Sequence, residues 1–113
     1  MDDCLFCKIV RKEISADIIY EDDDILAFKD IKPVAPVHIL IIPKKHISDL
    51  CSAQEEDALV LGRIQLLSVK IAKQFNINET GYRFINNCRK EGGQIVYHIH
   101  YHLAGGRQMC ALG

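Results

Sequence analysis

The residues best equipped for chemistry in this chain are its histidines and cysteines. Five of each occur in 113 residues, and three histidines fall within five positions, His98-Ile99-His100-Tyr101-His102. Alternation at period two is a strand pattern, which would set the three imidazoles on one face and Ile99, Tyr101 and Leu103 on the other. A helix would spread the same rings over roughly 200°, and they would not converge. Three imidazoles make a poor core face, because each buried ring brings two nitrogens that need partners. Two chemistries suit them. Paired strand histidines with a distant third ligand could hold a catalytic metal that keeps an open position for water. Alternatively, a neutral imidazole could attack phosphorus and form a labile phosphoramidate intermediate. The upstream Glu91-Gly92-Gly93-Gln94 favours the second, since a glycine turn lets backbone N–H groups approach an anion closely.

A second constellation opens the chain. Cys4-x-x-Cys7 has the spacing of half a tetrahedral zinc site, and equally that of a redox dithiol. A redox pair normally follows a strand in a βαβ unit, which an N-terminal position does not provide. Two more ligands are needed for zinc, and His46 and His98 are available. Cys51, Cys88 and Cys110 have no partner at ligand spacing and read as packing or surface thiols. The count of cysteines is odd and Met1-Asp-Asp-Cys-Leu-Phe-Cys lacks the basic and apolar regions of a signal peptide. Free thiols or metal ligands in a reducing, cytoplasmic setting are therefore expected, rather than a disulfide framework.

The elements that must position these groups follow from local pattern. Ile18 to Phe28 reads as two short strands around the acidic turn Glu21-Asp22-Asp23-Asp24. Lys32-Pro33-Val34-Ala35-Pro36 must be an extended loop, because proline fixes φ and restricts the residue before it. Val37 to Ile42 reads as a central strand ended by Pro43. Ser52 with Glu55 matches a capping box, and helical periodicity runs from there to Phe75 with Leu59, Leu66 and Ile71 in the apolar stripe. Asn76 to Gly81 is a turn region, Tyr82 to Asn87 a strand, Cys88 to Gly93 a polar loop, and Ile95 to Leu103 a final strand. The sum is a single α+β domain over residues 1–113, with an antiparallel sheet and one long helix.

Composition narrows the function. Hydrophobic residues make up 49% and charged residues 26%, the mix of a globular domain. Fourteen basic against fifteen acidic residues give a net charge of -1, without the basic excess of a nucleic-acid binder. The longest apolar run, Val37 to Ile42, contains His38 and is too short to span a bilayer. A small phosphorylated ligand remains compatible with all of this.

Gly93-Gln94-Ile95-Val96-Tyr97-His98-Ile99-His100-Tyr101-His102-Leu103 resembles the signature of the histidine triad (HIT) family, and Gly105-Gly106-Arg107-Gln108-Met109 resembles its Hint branch of nucleotide-binding phosphoramidases. Cys4 to Val10, Tyr20 to Asp30 and Pro43-Lys-Lys-His46-Ile-Ser also sit where that family has them, so the match spans nearly the whole chain. The resemblance implies a HIT-like fold with a five-stranded antiparallel sheet, one long helix and a short N-terminal helix. It implies a homodimer that binds purine nucleotides, acting on nucleoside 5′-phosphoramidates or aminoacyl adenylates.

By the same resemblance, His100 is the nucleophile that attacks the α-phosphorus and forms a nucleotidyl-histidine, which water then hydrolyses. His102 binds the phosphate or assists proton transfer, and His38 supports the site from the neighbouring strand. Asn87 contacts the phosphate or the bridging atom, the Gly93 N–H meets the phosphate, Asp30 accepts from both ribose hydroxyls, and Ile31 helps to wall the base. Zinc-bearing members close a structural Cys₂His₂ site with residues matching Cys4, Cys7, His46 and His98. Two departures bear on activity. Ile95 stands where the branch commonly has a phosphate-binding serine, and a lost charge-assisted bond costs on the order of 1.5–3 kcal/mol. The short Cys110-Ala-Leu-Gly113 tail replaces a longer ending that helps set leaving-group preference. Ile95 therefore keeps an alternative open, a zinc-stabilised nucleotide-binding interaction module with little turnover.

Overall fold

Short apolar runs rich in β-branched and aromatic residues build the sheet. In the computed structural model, which describes residues 3–112, strands β1 (Ile18–Glu21), β2 (Ile25–Lys29), β3 (Val37–Pro43), β4 (Tyr82–Asn86) and β5 (Tyr101–Gly105) form one antiparallel sheet ordered β1-β2-β3-β5-β4. Met1 and Asp2 of the N-terminal motif and Gly113 of the tail lie outside the described residues. The β1–β2 turn is closed by Asp22, whose Oδ1 accepts the N–H groups of Asp24 and Ile25, each at 2.8 Å.

The sheet has two covered faces. Ile25, Ala27, Ile39, Ile41 and Leu103 pack with Ile64, Leu67, Ile71 and Ala72 of the long helix α2 (Ala58–Gln74). On the other face Leu26, Phe28, Leu40 and Ile42 meet Phe6 and Ile9; these belong to the short N-terminal helix α1 (Leu5–Val10). Central β3 is buried on both sides from His38 onward, which explains its near-continuous apolar run. His38 follows the parity of Leu40, and Leu40 pairs directly with His102. Cross-strand partners share a face, so both histidines stand on the α1 side.

Three details depart from the sequence reading. The long helix starts at Ala58, not Ser52; Ser52 lies in a short 3₁₀ turn whose N–H donates to Asp49 Oδ1 at 2.9 Å. The reaching-back carboxylate is Asp57, which accepts the Gln54 N–H at 2.9 Å and is paired with Lys45 at 2.7 Å. The helix buries Ile71 as expected, together with Ile64, Leu67, Ser68 and Ala72, but leaves Leu59 and Leu66 76% and 72% exposed. Finally, the last strand covers Tyr101–Gly105 and not Ile95–Leu103. Its pairing with β3 ends at Ile41↔Tyr101, two residues short of Pro43, whose missing N–H cannot extend a ladder. Residues 95–100 leave the sheet, tied by Ile99 N–H to the Ile47 carbonyl at 2.6 Å.

Candidate functional site

Only His102 of the three clustered histidines lies within a strand; His98 and His100 precede it in the irregular segment. They still converge, in two directions. His100 and His102 face each other with ring centroids 5.0 Å apart, whereas His98 turns toward His46 at 5.1 Å. A uniform strand could not make this division. Leaving the sheet before Tyr101 lets His98 serve one cluster and His100 another.

Hydrogen-bond partners assign the tautomers of the first cluster. His38 Nδ1 accepts the Val34 N–H at 3.1 Å, so its proton is on Nε2. That Nε2–H donates to His102 Nδ1 at 3.0 Å, which puts the proton of neutral His102 on Nε2. His100 donates its Nδ1–H to the His98 carbonyl at 2.9 Å, leaving Nε2 as its unprotonated nitrogen. Burial lowers His100 below the ordinary imidazole value, and burial with the neighbouring His100 and His38 lowers His102 to about 4. Both rings are thus neutral at physiological pH. The arrangement offers a nucleophilic lone pair on His100 beside an N–H donor on His102.

Of the remaining expected residues, Asp30 stands with His38 and His102, their polar atoms within 4.8 Å of one another. Asp30 is already engaged: Oδ1 accepts the Lys32 N–H at 2.8 Å and Oδ2 lies 3.4 Å from His38 Nε2. Ile31 is 89% exposed beside it, and Ile95 is 88% exposed. Asn87 follows β4 and continues the parity of Arg83 and Ile85, which pair with Ala104 and His102 on the histidine face. Gly93 adopts φ +87° and gives its N–H to the Lys90 carbonyl at 3.0 Å, so a phosphate would have to share that donor. The positive φ there is the reason glycine suits this turn.

Two contributors have no signal in the sequence. Asn86 donates its side-chain amide to the His100 carbonyl at 3.0 Å. Phe6 packs edge-on against His100 with centroids 5.2 Å apart and against His98 at 6.0 Å. Helix α1 therefore touches both histidine clusters, a relationship that only the tertiary fold creates.

The second cluster joins Cys4, Cys7, His46 and His98, whose ligand atoms all lie within 4.8 Å of one another. Cys4 Sγ is 3.4 Å from His98 Nδ1, and Cys7 Sγ is 3.3 Å from His46 Nδ1 and 3.5 Å from His98 Nδ1. Tetrahedral Zn–S and Zn–N bonds require an S···N edge of about 3.5 Å, so these four groups fit a closed four-ligand site. His98 donates Nε2–H to the Pro43 carbonyl at 2.8 Å, which reserves Nδ1 as a ligand atom. Cys4 also accepts the Cys7 N–H at 3.3 Å and so starts α1 with a sulfur cap. Burial and the adjacent Cys4 push the Cys7 thiol up to about 11; a cation in the cluster would reverse that trend.

Residues 11–109 match the family model of the HIT domain. The chain is 49% identical over 108 residues to the purine nucleoside phosphoramidase of Escherichia coli K12, covering 96% of this chain and 91% of that protein. Among solved structures, it resembles a HIT family hydrolase from Legionella pneumophila with a TM-score of 0.93 and 50% identity, covering 96% of each chain. It also resembles a histidine triad protein from Clostridium difficile with a TM-score of 0.95 and 43% identity, covering 100% of this chain and 98% of that one.

Proposed function

The chain belongs to the HIT domain family, and from that premise we propose that it is a hydrolase of purine nucleoside 5′-phosphoramidates and aminoacyl adenylates. The observation that carries this reading is the pair of opposed tautomers, an unprotonated Nε2 on His100 and a protonated Nε2 on His102. His100 attacks the α-phosphorus as the bond to the leaving amine or carboxylate breaks. The His102 N–H holds a phosphate oxygen or passes its proton to the leaving group. Water then attacks the nucleotidyl-histidine, frees the nucleoside monophosphate and restores the neutral imidazole. His38 keeps His102 in the donating tautomer. Asn87 and the Gly93 amide complete the phosphate contacts, Asp30 takes the ribose hydroxyls once it exchanges its present partners, and exposed Ile31 covers the base.

The second cluster is read as a structural zinc site. Its four ligands leave no open position, so zinc would tie α1 to the segment bearing His100 and supply no catalytic water. The family and the exposed face of α2 support a homodimer. Leu59, Gly62, Leu66 and Val69 follow a three-four-three spacing on that face, and β4 offers an open sheet edge. Among the described residues no helix is long and apolar enough to cross a membrane; the reducing, cytoplasmic setting rests on the odd count of five cysteines.

The test is AMP release from adenosine 5′-phosphoramidate by the wild type and His100→Ala. Wild-type turnover with a loss of at least about 10³-fold in the variant is expected. Equal rates would remove His100 as the nucleophile, and a wild type that binds AMP but turns nothing over would leave only a binding module.

A further inference from the structure

Cys51 and Cys88 belong to neither cluster, yet their sulfurs lie 3.5 Å apart across 37 positions of sequence. Cys51 is exposed in the 3₁₀ turn Leu50–Ser52, and Cys88 is half-buried where β4 gives way to the turn that carries Gly93. The contact is held in register by polar ties between the same two segments. Arg89 Nε donates to Asp49 Oδ2 at 3.1 Å, and Gln94 Nε2 donates to the Ser48 carbonyl at 2.8 Å. Gln94 Oε1 also accepts the Arg89 N–H at 2.7 Å, so the turn is braced at both ends. Gly92 lies so close that a Cβ there would fall 2.5 Å from the Cys88 carbonyl oxygen.

A metal ion is the poorer occupant of this place. Asp49 would be the third donor, but its carboxylate already accepts from the Ser52 N–H and from the Arg89 guanidinium. A second cation there would meet that guanidinium.

We propose that Cys51 and Cys88 form a reversible intramolecular disulfide when the protein meets a hydroperoxide, and that the crosslink slows turnover by displacing the turn that bears Asn87 and Gly93. The control of turnover rests on the nucleotide-hydrolase reading above; the crosslink does not. The exposed Cys51 thiolate attacks a peroxide oxygen. The O–O bond breaks, Cys51 becomes a sulfenic acid, and the departing hydroxide takes up the thiol's proton as water. The Cys88 sulfur then attacks the sulfenic sulfur; the S–S bond forms, the S–O bond breaks, and a second water leaves with the Cys88 proton. Two thiols lose two electrons and hydrogen peroxide becomes two waters. The hydrogen bond with Cys88 raises the Cys51 thiol, so the reaction quickens as pH rises. Closing the sulfurs from 3.5 Å to about 2.05 Å draws Cys88, and with it the adjacent Asn87, toward the 48–52 segment. In a reducing compartment the bond would be transient.

The test treats the purified full chain with a small excess of hydrogen peroxide, alkylates the remaining thiols, and maps the peptides by mass. The expected product is a Cys51–Cys88 linked pair, two hydrogens lighter and restored by a dithiol reductant. AMP release from adenosine 5′-phosphoramidate should fall at least about tenfold in step with the crosslink and recover on reduction. Cys51→Ser should match the reduced wild type and resist the oxidant. Free, alkylated Cys51 and Cys88, a Cys51 sulfinic acid, or oxidation confined to Cys4 and Cys7 would overturn the crosslink. A complete crosslink with unchanged turnover would overturn the control. If the reduced protein releases no AMP, the hydrolase reading and the control fall together, while the peptide map still decides the crosslink.

Discussion

His38 Nε2 stands 3.0 Å from His102 Nδ1, and the Val34 N–H on the far side of the His38 ring dictates which way that proton points. A proline-flanked loop, Pro33-Val34-Ala35-Pro36, thereby sets the tautomer of a histidine on β5, the strand paired with the one that loop feeds.

His38→Ala should remove this orientation without emptying the site. An unsatisfied partner of this kind costs about 1–3 kcal/mol, or about 5- to 150-fold in rate. We expect kcat to fall within that range, KM to change by no more than about twofold, and unfolding to stay cooperative. Steady-state kinetics with adenosine 5′-phosphoramidate will check it; an unchanged kcat would detach His38 from the chemistry.

The pH profile should carry the mark of a buried ring. Burial and the neighbouring His100 and His38 lower His102 to about 4, so the neutral donating form persists until the medium becomes strongly acidic. Because burial lowers His100 and His102 alike, kcat/KM should show no acid limb near the ordinary imidazole value. An acid limb centred near the ordinary imidazole value would contradict the burial assigned to His100 and His102.

Metal removal should loosen the N-terminal helix before it touches the chemistry directly. Zinc analysis should give about one equivalent per chain, and Cys7→Ser should retain less than about a tenth. With free metal at about 100 times its Kd, linkage is worth about 2.7 kcal/mol, so chelation should lower Tm by about 10–20 °C. A melting curve indifferent to chelator would reduce the cluster to two thiols beside two rings.

Much of this was legible in the sequence, and the misses have physical causes. The apolar run Val37 to Ile42 located β3, and the cysteine spacing marked two of the four groups that the fold brings together. Periodicity could not show that residues 95–100 leave the sheet, because that depends on where β3 meets Pro43. Ser52 and Glu55 matched a capping pattern, but Asp57, anchored by Lys45, performs that role. Phe6 and Asn86 reach His100 only through tertiary packing, and nothing in their local sequence announces it.

Acid should also act on the β1–β2 turn. Burial alone would raise Asp22, but hydrogen bonds from Tyr20 and the Asp24 and Ile25 amides, together with Arg63, lower it to about 2. A carboxyl depressed in the folded state stabilises above its unfolded value and loses that contribution as pH falls through the folded one. Asp22→Asn should therefore cost about 1 kcal/mol at pH 7, after allowance for solvent screening. That deficit should vanish between about pH 4 and 2, as urea unfolding at several pH values will show. A deficit constant down to pH 2 would mean that the charge contributes nothing.

The α2 face offers a test of assembly. Leu66→Glu places a charge in the exposed apolar row without touching the buried stripe. Sedimentation should convert a dimer to a monomer at micromolar concentration, since one buried unpaired charge is strongly unfavourable. A wild type that sediments as a monomer throughout would remove the row from consideration as an interface.

Turnover by this mechanism passes through one bond, between His100 Nε2 and phosphorus. Acid-labile intermediates are preserved by quenching adenosine 5′-phosphoramidate turnover in alkali within milliseconds and mapping the adenylylated peptide by mass. A transient AMP adduct on His100 is expected, absent from His100→Ala, that forms and decays at rates able to support turnover. Turnover with no adduct at His100, or an adduct on any other residue that decays at the rate of AMP release, would contradict that mechanism.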